Sequence, residues 1–407
     1  MVDLAVRIGK LTLPNPVMPA SGTFSVEVGR AIDLNRLGGM VTKTVSRNFR
    51  VGNPPPRVSE LYGGMINSIG LPTKGLQHFL DVQLAEYKQY SPPLVCSISA
   101  ETFEDFADMA RDVSVPGVDA IEVNISCPTR KPGGGNFALN EEHTFQVIRR
   151  CRAATAKPLW AKLSPNAGEI SAVAEAAEKA GADALTISNT ILGLKIDIET
   201  FRSCIGNGYG GISGPAIKPI VMRMVNECSK AVQIPIIGCG GIMRFEDVVE
   251  YMLAGASAVE IGFLNFRSPT GIVQIIDDLA AWCDRRGIER VAALTRNQEM
   301  VRTLKAINAR RPGLPAANTQ VALLEDTYAL LKDGFARGDS PASPTQSCRD
   351  LRRAAGSISS TRRRSRTASA RASFARPVSR RAWRRPSLGR FRRAPTQGRQ
   401  EEVGAIE

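Results

Sequence analysis

Short apolar runs rich in Val and Ile recur along the chain at Pro16–Ala20, Met40–Val45, Leu94–Ser99, Ala120–Ser126, Leu159–Ser164, Ala184–Asn189, Ile234–Gly241 and Ala258–Phe263. They are the length of strands and are apolar without strict alternation, so each predicts a strand buried on both faces. Between them, Thr102–Val113, Glu141–Ala156, Gly168–Ala180, Pro215–Val232 and Arg244–Ala254 have the mixed spacing of amphipathic helices. Glu246 and Asp247 enrich one first turn, and Gly181 and Gly255 follow two helix ends. Eight strand–helix units over about 260 residues predict an α/β fold, a (β/α)8 TIM barrel. An open doubly wound sheet is the alternative, and the count and spacing of the units favour closure. Val6–Leu13, turning at Gly9-Lys10, predicts an N-terminal hairpin under the barrel floor.

Two connections exceed what a barrel needs. One runs from Thr44 to Gln77 and is dense in Gly and Pro; the other runs from Thr190 to Ser213 and includes Gly206–Gly211. Both follow strand C-termini, the face on which such barrels carry their active sites, and long loops there are usually functional. After about residue 295 the apolar pattern fades. The expected organisation is therefore a barrel over 1–300, a partly helical extension over 301–339, and a disordered Arg-, Ser- and Pro-rich tail over 340–407.

Charge follows the same division. The net charge of +14 hides 30 basic and 31 acidic residues in positions 1–300 against 23 and 8 in 301–407. The barrel thus lacks the basic surface that nucleic acid or an anionic membrane requires. Eight cysteines, none in a C-x-x-C pair, read as reduced thiols and predict neither a zinc site nor an iron–sulfur cluster in this chain. The two histidines, His78 and His143, lie in polar helical contexts and read as surface residues. No long apolar run predicts a transmembrane helix and Met1–Leu4 has no signal-peptide character, so a cytoplasmic location is expected.

The chemistry gathers at strand ends. Asn124-Ile125-Ser126-Cys127-Pro128 ends one run and leads into Lys131-Pro132-Gly133-Gly134-Gly135-Asn136-Phe137. An Asn there can pair with a planar heterocycle through both amide atoms, and a Cys just beyond can serve as base or nucleophile. The glycines would let the loop cover a substrate. A packed small apolar side chain is the alternative reading of Cys127. Lys43-Thr44, Lys162 and Asn189-Thr190 end or occupy other strands, and Gly240-Gly241 and Gly262 end the last two. Glycines after strands seven and eight expose N–H groups that suit a phosphate, and interior lysines are costly unless they meet an anion. Tight turns alone would also explain each of these glycines, though glycines at two successive strand ends favour the phosphate.

Over about residues 3–295 the sequence resembles dihydroorotate dehydrogenase, specifically the class 1B catalytic subunit. The carriers are Ala20–Thr23, Gly52–Arg57, Met65–Leu71, Asn124–Pro128 with its loop, Asn189-Thr190, Gly210–Pro219 and Ile236–Ile242. The resemblance implies one FMN per chain, held by Ser21, Lys43, Thr44, Ser97, Asn124, Lys162, Ser188, Gly214, Gly240, Gly241, Gly262 and Phe263. It implies dihydroorotate and orotate as substrate and product, bound by Lys43, Asn67, Ser68, Ile69, Gly70, Leu71, Asn124, Asn189 and Thr190. Cys127 is implied as general base, with hydride passing to the flavin, in pyrimidine biosynthesis. A Cys here, rather than Ser, separates the chain from the membrane-bound class 2. The class also implies a homodimer within a heterotetramer, whose second subunit carries FAD and a [2Fe–2S] cluster and reduces NAD. This chain has no cysteine cluster and no strand-following G-x-G-x-x-G for those centres. Departures are Thr129 and Ser97 where Asn is usual, Phe263 in place of a small polar residue, and the tail, which matches nothing in the family.

Three other readings compete. Dihydropyrimidine dehydrogenase shares the barrel and Cys loop but usually adds ferredoxin-type clusters. The tRNA dihydrouridine synthases need a basic face for RNA. Nucleic-acid binding through 341–407 would rest on arginines with few aromatics between them, Phe374, Trp383 and Phe391. A non-biological or accessory tail fits better, because an Arg-only basic composition arises when a GC-rich gene is read out of frame.

Overall fold

Each apolar run becomes a strand because neither of its faces meets water. A computed structural model describes residues 2–126 and 137–295. Its central sheet has eight parallel strands: β1 (Val17–Pro19), β2 (Met40–Val41), β3 (Leu94–Ile98), β4 (Ala120–Asn124), β5 (Leu159–Lys162), β6 (Ala184–Ile187), β7 (Ile236–Gly238) and β8 (Ala258–Ile261). Every residue of these strands is buried. The hydrogen-bonded order runs β1-β8-β7-β6-β5-β4-β3-β2, a nearly closed barrel. The Gly38 amide donates to Val17 O at 2.8 Å and ties the entry of β2 to β1.

Helices wrap the outside within the predicted spans. Thr102 caps Phe103–Asp112 by accepting from Asp105 N, and Asn140 caps Glu141–Ala154 by accepting from His143 N. Asp247 reaches back to the amides of Met243 and Arg244 at the start of Phe245–Ala254. The hairpin pairs Val6–Ile8 with Leu11–Leu13, and Gly9 supplies the left-handed turn at φ 60°. His143 is exposed and His78 half-buried.

The two long connections differ from the expectation of loops. Val58–Leu61, Gly64–Asn67, Gly210–Ser213 and Ile191–Gly193 pair with one another in a four-stranded antiparallel sheet. The first connection thus supplies one half of this sheet and the second the other, with Ile66 opposite Ile212 and Asn67 opposite Gly211. Pairing satisfies the backbone groups that two free loops would have left to water. Helix Gly271–Arg285, absent from the expected set, follows β8. No helix among the described residues is long and apolar enough to cross a membrane.

Candidate active site

The register of the barrel aims polar side chains into its C-terminal mouth. Asn124 on β4 lies opposite Lys162 on β5, which lies opposite Thr186 on β6. Glu122 sits two residues before Asn124 and so shares its face. Lys162 is 3% exposed, Glu122 and Glu260 are fully enclosed, and the three form one cluster. Lys162 Nζ donates to Glu260 at 2.7 Å, to Glu122 at 3.3 Å and to Ser21 Oγ at 3.1 Å. Burial opposes the ammonium, but the two carboxylates more than offset this and raise its pKa above the usual lysine range. Burial likewise opposes ionisation of Glu122. Lys162 and hydrogen bonds from Glu260, Ser97 and Ser21 nevertheless hold it below the ordinary carboxyl range. Glu260 is pushed up, by burial first and by Glu122 second.

From this cluster a hydrogen-bonded ridge crosses the mouth. Ser97 Oγ donates to Glu122 at 2.8 Å and lies 3.0 Å from Thr44 Oγ1. Asn124 Nδ2 donates to Thr44 Oγ1, and Ser126 Oγ donates to Asn124 Oδ1. Asn189 Nδ2 donates to Ser126 Oγ at 2.9 Å. Lys43 stands exposed beyond β2 and makes no ion pair among the described residues. Partial burial, and then the Arg57 guanidinium, hold its pKa below the usual lysine range. A cation so placed has capacity for an incoming anion.

The small antiparallel sheet brings the remaining predicted residues to the same end of the barrel. Asn67 Nδ2 donates to Gly211 O, and Thr190 packs so closely on Gly211 that a Cβ there would stand 1.9 Å from its Oγ1. Asn189 Oδ1 accepts from Thr190 N at 2.8 Å. The turn beyond Asn67 is held under strain. Leu71 has φ 52°, and Gly70, at φ 78°, lies where a Cβ would meet Asn53 N at 2.5 Å. Ser68 is buried with its hydroxyl accepting from Asn53, so its side chain serves this turn. Ile69 is half-buried beside it, and Ser188 is buried after β6.

The glycines form a separate cradle. Gly240 and Gly241 follow β7, and their N–H groups donate to no described residue. A Cβ on Gly241 would lie 2.8 Å from Gly214 O and 2.9 Å from Lys218 N, so these turns touch backbone to backbone. Lys218 bonds Asp247 at 2.6 Å and Glu250 at 2.9 Å, which anchors that turn to helix Phe245–Ala254. Ser213 Oγ, next to Gly214, is buried without a partner among the described residues. Unpaired N–H groups and an orphaned hydroxyl fit a phosphate. Gly262 packs near Ala20 and Thr23, and Phe263 opens the short helix Phe263–Arg267. Cys127, Thr129 and the loop to Asn136 lie outside the described residues, as do residues 296–407.

Sequence reasoning missed Glu122, Glu260 and Ser213. The signal for the two carboxylates was present: a single acid inside the otherwise apolar runs Ala120–Val123 and Ala258–Ile261. Buried carboxylates almost never occur unpaired, so each pointed to a cation such as Lys162.

Fold and site together define an α/β-barrel enzyme with a phosphate-ready cradle, a buried ammonium and amide side chains at one mouth. A family model described as "Dihydroorotate dehydrogenase" matches residues 3–282. The chain is 44% identical over 292 residues to the "Dihydroorotate dehydrogenase B (NAD(+)), catalytic subunit" of Thermoanaerobacter pseudethanolicus, covering 71% of this chain and 97% of that protein. It is 45% identical over 295 residues to the protein of the same description from Geobacillus kaustophilus, covering 72% and 94%. Its fold is similar to that of the Eimeria tenella DHODH crystal structure with ferulenol, with TM-score 0.60 and 23% identity, covering 72% of this chain and 88% of that one. The chain belongs to the dihydroorotate dehydrogenase family and is an oxidoreductase of that family.

Proposed function

We propose that the protein is the FMN-dependent catalytic subunit of a class 1B dihydroorotate dehydrogenase, oxidising dihydroorotate to orotate in pyrimidine biosynthesis. The observation that carries this reading is the buried Lys162 ammonium facing an amide-lined mouth beside an N–H cradle, in a chain of this family. FMN would be held at its phosphate by Gly214, Gly240, Gly241 and Gly262 with Phe263. Its ring would be held by Ser21, Thr44, Ser97, Asn124, Lys162 and Ser188. When bound, FMN supplies the acceptor for the hydride leaving C6 of the substrate.

The chain's own residues do the rest. Lys43 pairs with the substrate carboxylate. Asn67, Asn124, Asn189 and Thr190 bond the imide edges and fix the ring. The strained Ser68–Leu71 turn shapes the pocket wall. Cys127 removes the C5 proton as general base. Lys162 keeps its proton and offers positive charge where electron density builds.

Reoxidation belongs to a partner. The relatives' description as catalytic subunits supports an electron-transfer subunit, here proposed to carry FAD and a [2Fe–2S] cluster and to reduce NAD in a heterotetramer built on a homodimer of this chain. The purified chain is expected to be yellow and to release about one FMN on denaturation. A folded, colourless protein would remove the proposal. Alone it should reduce no NAD with dihydroorotate; rapid NAD reduction without a partner would contradict the split of labour.

All of this chemistry is placed in residues 1–300, since the +15 balance belongs to 301–407 and the sparse apolar content to 340–407. Deleting 301–407 should leave FMN content and dihydroorotate-driven reduction unchanged. Loss of either would assign the segment a part in the site.

A further inference from the structure

The cluster beneath the mouth holds two carboxylates and one ammonium, which is one negative charge too many for a water-free pocket. Glu122 is the better served acid. It accepts from Ser97 at 2.8 Å and Lys162 at 3.3 Å, and Ser21 and Glu260 also stabilise it. Glu260 meets Lys162 at 2.7 Å, but its other oxygen has only Thr186 at 3.4 Å. Two acids that meet at one buried ammonium share one proton, and Glu260, with fewer donors around it, is the one that holds it.

We propose that Glu260 is a positioning residue that takes up one solvent proton when the flavin against Lys162 is reduced, and thereby sets how the flavin potential depends on pH. The inference rests on the FMN reading above. The substrate gives hydride to the flavin and its C5 proton to Cys127, which leaves negative charge on the reduced ring. The proton that Glu260 takes from solvent balances this charge, and nothing further is oxidised or reduced.

Burial and Glu122 push Glu260 up to about 8. Below that pH it is protonated whether or not the flavin is reduced. Above it, the oxidised protein holds Glu260 as a carboxylate, and new negative charge beside Lys162 draws the proton back. The other titratable groups facing it are Lys162, Glu122 and Cys239. Burial pushes the Cys239 thiol up to about 12, so it stays neutral throughout this window.

The test is potentiometry of the bound flavin in the full-length protein from about pH 6 to 10. One extra proton per two electrons is a tenfold change per pH unit, or about 30 mV per unit. The wild-type slope should steepen by that amount above about pH 8 and stay constant in Glu260→Gln, which keeps the shape but cannot ionise. A wild-type slope that never steepens overturns the proposal whatever the variant does, and so does steepening that survives in Glu260→Gln. Apoprotein melting is a second readout independent of flavin. Glu260 keeps its proton when folded and loses it when unfolded between the ordinary carboxyl value and about 8, so wild-type stability drains as pH rises through that window. Glu260→Gln should therefore gain several degrees in Tm relative to wild type between about pH 5 and 8. A pH-independent difference refutes the proton on Glu260. A protein without flavin would fail the FMN reading and this proposal with it, whereas a bound flavin whose slope never steepens would fail this proposal alone.

Discussion

Replacing Cys127 by Ser is expected to slow reduction of the bound flavin by dihydroorotate at least about a hundredfold. The thiolate takes the proton, and an ordinary thiol ionises at about 8.5, whereas a serine hydroxyl is a far weaker acid. The groups proposed to bind the pyrimidine, Lys43, Asn67, Asn124 and Asn189, are untouched, so orotate should still perturb the flavin spectrum at similar concentration. The effect therefore belongs to the rate and not to binding. For wild type, the rate of flavin reduction in stopped flow should rise with pH through the thiol range, and this rise should vanish in the variant. A Cys127→Ser protein that bleaches at the wild-type rate would show that another residue takes the C5 proton.

Lys162→Met should be the most damaging single change to the apoprotein. It leaves Glu122 and Glu260 facing each other with no cation, both fully enclosed. Removing one partner of a buried ion pair typically costs about 3–5 kcal/mol. For a domain of this size that is roughly 6–20 °C in Tm. The sign of its pH dependence is fixed by Glu122, whose folded pKa is depressed chiefly through Lys162 against the opposing effect of burial. That depression stabilises the wild type above the ordinary carboxyl value and is lost as pH falls below it. The gap between variant and wild type should therefore narrow in acid. Adding Glu122→Gln to Lys162→Met should recover part of the loss at neutral pH. A Lys162→Met protein as stable as wild type at pH 7 would mean that the cluster is not held by charge.

The barrel was legible because its strands are buried on both faces, which writes them as uninterrupted apolar runs. All eight appear inside the predicted spans, for example Leu159–Lys162 within Leu159–Ser164. The antiparallel sheet was not legible. Its strands are at most four residues long, and Gly64, Gly210 and Gly211 remove the side chains from which a period of two is read. Pairing between segments some 140 positions apart, as Asn67 with Gly211, leaves no local mark. The site divides similarly. Lys43, Asn124, Lys162 and Asn189 stand out as polar residues at strand ends. Ser97 was expected at the cofactor, and its hydroxyl is engaged by Glu122 and Thr44. Ser68 was expected at the substrate, and its hydroxyl is engaged by Asn53. A motif says that a residue is present; only packing says which way its hydroxyl is committed.

The central claim is that this mouth oxidises dihydroorotate with electrons passing to a bound flavin. The most direct measurement is anaerobic titration of the purified full-length protein, followed by the flavin absorbance. Dihydroorotate should bleach the flavin, about one equivalent per FMN for this two-electron transfer, and dihydrouracil, which lacks the carboxylate for Lys43, should bleach it poorly. A flavin that stays oxidised with dihydroorotate, or that dihydrouracil reduces more readily, would contradict that claim.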